Sequence, residues 1–330
     1  MDIAVVGFRH NHIFSLYELA KRTDGVRVCA AYEEYSPALK EAKRRIAEDI
    51  FVDSLDEILE NPAIDAIAVG DYYASRGSLI IRALNAGKHV ISDKPICTHP
   101  EELDEIKALC EKTQLKVGCM LDLRYTPEIF EAKRIFSSGA LGEIHTLAFT
   151  GQHPLNYGTR PSWYFEKGKH GGTINDIAIH GIDIVRYLTG LEVSQPLFAN
   201  SYNAFAENEP DFSDCAQFLA RLSNGAGLMA DVSYALPAGI GFSPAPVWRF
   251  TFWGSKGMLE IDHARHTLYF AAEGAREPVI TEKPSQKPSN SFLDDFISDI
   301  NGSPAELNTA QVLLSAEETL KIQMLADISR

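Results

Sequence analysis

Ile3-Ala4-Val5-Val6-Gly7-Phe8-Arg9-His10-Asn11-His12 sets four apolar residues directly before a glycine, and a helical pattern runs on from Ile13 to Arg22. An apolar run of this length reads as a short strand, and the glycine behind it as a tight turn into the helix.

Outward from this segment the same unit repeats. Apolar runs at 26–31, 66–69, 89–92 and 116–119 read as further strands, and helical patterns at 13–22, 37–46, 55–60, 77–86 and 100–113 lie between them. Strands alternating with helices predict a parallel sheet with crossover helices, a Rossmann-type domain whose ligands sit at the carboxyl ends of the strands. Its first turn should carry G-x-G-x-x-G, yet Gly7-Phe8-Arg9-His10-Asn11-His12 keeps only the first glycine. The second glycine normally lets a pyrophosphate approach the backbone, so Arg9 either obstructs that approach or offers a guanidinium to the phosphates. The plainer alternative makes Arg9, His10 and His12 polar loop residues on a domain that no longer binds a dinucleotide. About twenty residues on, the second strand ends at Ala31-Tyr32-Glu33-Glu34, where an acid would hydrogen-bond an adenosine ribose and repel a 2'-phosphate. If a cofactor binds, NAD is favoured over NADP, with Glu33 chosen over Glu34 as the acid; the alternative makes either a solvated charge at a strand end.

With 330 residues, 45% hydrophobic and 23% charged, the chain suits a globular protein of two domains. Its 31 basic and 45 acidic residues give a net charge of -14, which repels phosphate backbones and anionic membranes. Neither nucleic acid nor membrane is an expected partner. No apolar run reaches the roughly 18 residues of a membrane span, and a cytoplasmic location is expected. Five dispersed cysteines include no C-x-x-C pair, so they read as small buried hydrophobes and no metal site is expected.

From Glu143 onward the strand patterns lengthen, at 145–150, 197–202, 215–222, 227–233, 248–253, 258–261 and 267–270. They predict a mostly antiparallel sheet with one open face, covered on the other by helices near 127–138 and 176–188. Asn224-Gly225 and Gly254-Ser255-Lys256-Gly257 mark hairpin turns, 282–290 a surface crossing, and 292–300 and 309–328 two final helices. The expected fold class is thus α/β plus α+β. Its domains are a dinucleotide-binding Rossmann domain over 1–121, a substrate and oligomerisation domain over 122–290, and C-terminal helices over 291–330 packing near the domain junction.

The segment from His170 to Thr189 carries the chemistry. Asp176, His180 and Asp183 are spaced i, i+4, i+7, which an α-helix brings to one face, while Ile177, Ile184, Val185 and Leu188 could bury the other. Ionisable groups on a buried helix need partners or a use, and acid-base catalysis is such a use.

The segment Ala86-Gly87-Lys88-His89-Val90-Ile91-Ser92-Asp93-Lys94-Pro95 resembles the A-G-K-H-V and E-K-P motifs of the glucose-fructose oxidoreductase and inositol dehydrogenase (Gfo/Idh/MocA) family, with Asp93 in place of Glu. Ala68-Val69-Gly70-Asp71-Tyr72-Tyr73 stands where that family has its T-P/T-N cofactor loop, and Arg124-Tyr125-Thr126-Pro127 resembles its R-F-x-P. Ser138-Gly139-Ala140-Leu141-Gly142-Glu143-Ile144 is similar to S-G-x-L-G-x-I, and residues 171–183 to G-G-x-x-x-D-x-x-x-H-x-x-D. Where the family often has a histidine after its T-P loop, this chain has Ser75-Arg76-Gly77.

The resemblance implies an NAD(P)-dependent oxidoreductase of a sugar, polyol or related metabolite, with Lys94, Asp176 and His180 in catalytic positions. His180 would be the general base, Asp176 would orient it, and Lys94 would stabilise charge on the substrate oxygen. Gly7 to His12, Glu33, Asp71, Tyr72, Asp93, Lys94 and Pro95 would contact the cofactor. Arg124, Trp163, Tyr164 and Asp183 are the candidate substrate contacts, although Asp183 could pair with Arg186 and the aromatics could anchor their loop. His153, Tyr157, Lys169 and His170 are weaker candidates. Family members cover the open sheet by pairing subunits, which implies a homo-oligomer, a dimer or tetramer. The alternatives are a redox-neutral lyase or hydrolase that holds NAD tightly, and a non-catalytic ligand sensor.

Overall fold

The computed structural model describes residues 1–242, 244 and 247–328. The chain divides into two compact units. The first comprises 1–120, 168–171 and 290–317; the second comprises 121–167, 172–289 and 318–330.

In the first unit, β1 (Asp2–Val6) leads into α1 (His12–Arg22), followed by β2 (Arg27–Tyr32), α2 (Ser36–Arg45) and α3 (Leu55–Leu59). β3 (Ala66–Val69), α4 (Tyr73–Asn85), β4 (His89–Ser92), α5 (Pro100–Thr113) and β5 (Val117–Cys119) complete the sheet. All strand pairs are parallel, in the order β2-β1-β3-β4-β5. Burial on both faces explains why β1 and β3 read as unbroken apolar runs.

Helix α4 begins at Tyr73, four residues before the glycine that reads as its start. Gly77 lies within the helix where α4 runs against α5, beside the carboxyl end of the Glu102 side chain.

The second unit holds α6 (Pro127–Ser137), β6 (Ile144–Pro154), α7 (Ile179–Thr189), β7 (Val193–Tyr202), β8 (Cys215–Leu222), β9 (Gly227–Leu236), β10 (Trp248–Gly254), β11 (Gly257–Asp262), β12 (Thr267–Ala272) and β13 (Val279–Glu282). They form one sheet in the order β13-β12-β11-β10-β6-β9-β8-β7, antiparallel except where β6 runs parallel to β9. The edge strand β13 is missing from the expected set because its four residues are short, largely exposed and without apolar alternation.

α6 and α7 pack on one face of this sheet, with Phe136 edge-on to Phe252 at 5.0 Å between ring centroids. Gly181 lets α7 lie directly on Phe149, since an added Cβ would come within 2.3 Å of that ring. The chain closes with α8 (Phe292–Ile300) and α9 (Thr309–Ile328), the two expected terminal helices. α8 packs on β5 in the first unit, its Phe296 filling the space that a side chain at Gly118 would need. Among the described residues, no helix is long and apolar enough to cross a membrane. Four of the five cysteines, Cys97, Cys110, Cys119 and Cys215, are buried, and burial pushes the Cys110 thiol up to about 11 and that of Cys215 to about 12. These four belong to the core, while Cys29 is half-buried.

Candidate active site

At the carboxyl ends of β1, β2 and β3 a cavity of about 370 Å³ is lined by Gly7, Glu33, Glu34, Asp71, Tyr72 and Ser75, among others. A larger cavity of about 580 Å³, lined by Met1, Gly25, Asp65 and His89, lies at the amino ends of the strands. Ligands of open α/β sheets bind at the carboxyl ends, so the smaller cavity is the candidate cofactor site.

The turn that shapes it depends on one glycine. Gly7 has a φ of +80°, and a Cβ there would lie 2.6–2.8 Å from Asp71, including its backbone. Phe8 points its ring into the core against Phe14 and Phe51, with centroids 5.5 and 5.9 Å away, and its amide toward Glu33. Glu33 accepts that amide at 2.5 Å and the Tyr35 amide at 2.7 Å. Burial pushes the Glu33 carboxyl up while these amides hold it down.

Arg9 does not lie open to a phosphate. Its guanidinium packs against the rings of Tyr35 and Tyr72, 4.8 and 5.0 Å from their centroids, and it ion-pairs with Asp71 at 3.2 Å and Glu34 at 3.1 Å. Asn11 precedes α1 and accepts from Arg45 at 3.5 Å.

The remaining loop residues converge on Asp93. One Asp93 oxygen meets His10 Nδ1 in a short hydrogen bond and accepts from Arg76 at 2.8 Å; the other meets His12 Nδ1 at 3.3 Å and accepts the Lys94 amide at 2.8 Å. Against its burial, the Arg76 guanidinium and the histidines hold the Asp93 carboxyl well below the usual carboxylate range. The donor atoms of His10, His12 and Asp93 lie within 4.8 Å of one another, a set able to ligate a divalent cation. The Arg76 guanidinium already supplies the positive charge that this carboxylate requires. Lys94 is buried, its ammonium 5.8 Å from the centroid of Tyr73, and the Lys94–Pro95 peptide bond is cis. His170 and Lys169 belong to this unit as well, beside Tyr73 and Tyr72 respectively.

In the second unit, the segment expected as one α-helix starts with a π-helical stretch, Ile174–Ala178, before α7. Gly172, at φ +96°, leaves room for the Gln323 side chain, which accepts the amides of Ile174 at 3.0 Å and Asn175 at 3.2 Å. The wider turn disrupts the i, i+4, i+7 register, and the helix has no polar face: Asp176, His180, Asp183 and Arg186 are all buried.

Their surroundings differ. Asp176 accepts a short hydrogen bond from the Tyr234 hydroxyl on β9, and burial, together with this carboxylate, pushes the phenol well above its ordinary value. Tyr234 therefore stays a donor at neutral pH. His180 stands edge-on to Trp248, 5.8 Å between ring centroids, and His153 approaches the same indole at 5.8 Å. Asp183 receives both Arg124 Nε and Nη2 at 2.6 Å and Arg186 at 3.5 Å. Arg186 in turn donates to Glu318 at 2.6 Å. This chain of buried charges is internally matched.

Trp163 and Tyr164 are buried in a short turn, Ser162–Tyr164, with Arg160 stacked 4.5 Å over Tyr164, whereas Tyr157 is exposed and bonds to Glu209. Arg76, Tyr234 and Trp248 went unread in the sequence as site residues. Tyr234 and Trp248 lie on strands where periodicity marks only burial. Arg76 carried a signal, since an arginine beside a glycine replaced an expected histidine.

Taken together, a parallel βαβ unit with a cavity at its switch of loops and a separate buried Asp/His helix define a dinucleotide-dependent oxidoreductase. Residues 1–120 match the family described as "Oxidoreductase family, NAD-binding Rossmann fold", and residues 129–260 match "GFO/IDH/MocA C-terminal domain". The chain belongs to the GFO/IDH/MocA oxidoreductase family. It is 25% identical over 289 residues to the scyllo-inositol 2-dehydrogenase (NAD(+)) of Bacillus subtilis, covering 84% of this chain and 79% of the relative. It is 24% identical to the myo-inositol 2-dehydrogenase of Thermotoga maritima over 86% of each chain. Among solved structures, a putative oxidoreductase from Erwinia carotovora atroseptica superposes with a TM-score of 0.88 at 22% identity, over 99% of this chain and 98% of the other.

Proposed function

We propose that this protein uses NAD to oxidise a secondary hydroxyl of a sugar or cyclic polyol, with His180 as general base. The observation that carries this reading is the buried helical segment that holds both Asp176 and His180, in a chain whose first 120 residues match an NAD-binding domain. The relatives named for inositol oxidation support the substrate class.

NAD, when bound, accepts the hydride from the substrate carbon. Gly7 and Glu33 would hold its adenosine half, since both line the cavity at the carboxyl ends of the strands. His180 takes the hydroxyl proton, and Asp176, held by Tyr234, contributes the negative charge that stabilises the imidazolium. Lys94 donates to the substrate oxygen. Arg124 and Asp183 are assigned a structural role, since each satisfies the other; Trp163 and Tyr164 shape the substrate loop.

The exposed Phe198, Leu219 and Met229, with Ala148, line an almost wholly apolar groove of about 350 Å³ on the open face of the sheet. We assign this face to a second copy of the chain, in a homo-oligomer of the cytoplasm.

Thermal-shift titration with NAD and NADP, followed by a panel of inositols and aldoses, tests the reading. NAD is expected to raise Tm and NADP to do so less, and one of the panel to reduce NAD. His180→Ala and Lys94→Ala should each lower kcat by two orders of magnitude or more. Absence of any shift at millimolar nucleotide would overturn the reading.

A further inference from the structure

Arg76 is completely buried, yet no apolar contact explains a guanidinium there. Its Nε donates to the carbonyl of Asp71 at 2.8 Å, Nη1 to the carbonyls of Lys94 at 2.5 Å and Pro95 at 3.2 Å, and Nη2 to the Asp93 carboxylate at 2.8 Å. Its planar face lies 4.6 Å over the ring of Tyr73. Four hydrogen bonds from one rigid fork span two loops, the one after β3 and the one after β4. Through Asp93 the same cluster reaches the third loop, at His10 and His12.

We propose that Arg76 is a positioning residue that fixes the backbone from Asp93 to Pro95, and so the ammonium of Lys94, relative to the cofactor loops. The three departures from the family pattern noted in the sequence, at His10 and His12, at Arg76 and at Asp93, are thereby parts of one buried unit. The shorter aspartate leaves room for the guanidinium, and the guanidinium neutralises it in a site where an unpaired carboxylate would be costly. A lysine cannot replace it, because a single ammonium lacks the planar fork needed to reach carbonyls on both loops.

The inference rests on the assignment of Lys94 to the substrate oxygen, and the test separates the two. Wild type, Lys94→Met, Arg76→Lys and the double variant are compared for Tm, NADH affinity by fluorescence titration, and kcat and KM for the best polyol of the panel with NAD. Arg76→Lys is expected to lower kcat on the order of 10–100-fold while the NADH Kd and polyol KM stay within about threefold, since an ångström of misplacement acts on the chemical step. The double variant should be no slower than Lys94→Met alone, because Arg76 acts through Lys94. Wild-type kcat in Arg76→Lys, or multiplying losses in the double variant, overturns the positioning role. Wild-type kcat in Lys94→Met overturns instead the role assigned to the lysine. Where Arg76→Lys does not fold, Asp93→Glu, which keeps both charges but lengthens the arm by a methylene, should lower kcat by a similar factor and be no slower than Lys94→Met when combined with it; unchanged kcat in that variant rejects the proposal.

Discussion

Burial pushes the imidazole of His10 down to about 4 from its ordinary 6.5, against the pull of Asp93. His10 is thus neutral in the folded protein at pH values where the unfolded chain already binds a proton. The stability it contributes is fully present above pH 6.5 and is lost as pH falls toward about 4, by an amount on the order of 3 kcal/mol. Urea unfolding across that window should show this acid-side loss in wild type and a flatter profile in His10→Asn; identical slopes would mean that His10 titrates normally. At this scale, residue types were legible where chemistry restricts them. Gly7 could be named because its positive φ admits few other residues, and Asp176 and His180 because ionisable groups on a buried segment stand out. The partners could not, since Tyr234 lies 58 residues from the aspartate it holds. Glu33 shows the limit from the other side: its position was readable, but not that two amides already engage it.

The segment 174–189 was legible as a helix and misread in its first turns. Apolar periodicity reports which residues are buried, and here all sides are, so the pattern could not distinguish a π-helical opening from a regular α-helix. Asp183, which the sequence leaves open between a substrate contact and a pair with Arg186, does pair with Arg186 and closes a buried ion-pair chain with Arg124 and Glu318. Removing one partner of such a pair leaves an uncompensated buried charge, so Arg124→Met should destabilise the protein by about 3–5 kcal/mol in urea unfolding. The polyol KM of the folded fraction should stay unchanged, and a large rise in KM with native stability would restore Arg124 as a substrate ligand. Gly77 teaches a related lesson at element scale: a glycine that looked like a helix start lies within the helix, where α4 runs against α5.

For the molecule as a whole, the alternation of strands and helices disclosed the parallel sheet, and lengthening strands the second one. Edge strand β13 escaped because it is held by pairing alone. The open outer face was foreseeable from the strand pattern, and its cover by a second subunit only from the resemblance. Phe198, Leu219 and Met229 are 51%, 42% and 56% exposed in the isolated chain, too much apolar surface in one patch to leave to solvent. Met229→Glu with Leu219→Glu should convert an oligomer into a monomer in light scattering behind size exclusion, with NAD still bound; a wild-type monomer would remove the interface.

The central claim is net hydride transfer to NAD with His180 taking the proton. The most direct measurement follows deuterium from the oxidised carbon of a labelled polyol substrate into the cofactor by mass spectrometry, in wild type and in His180→Ala. The account predicts deuterated NADH accumulating with turnover in wild type and almost none in the variant. Deuterium retained in the product without accumulating NADH, or equal transfer in His180→Ala, would contradict it.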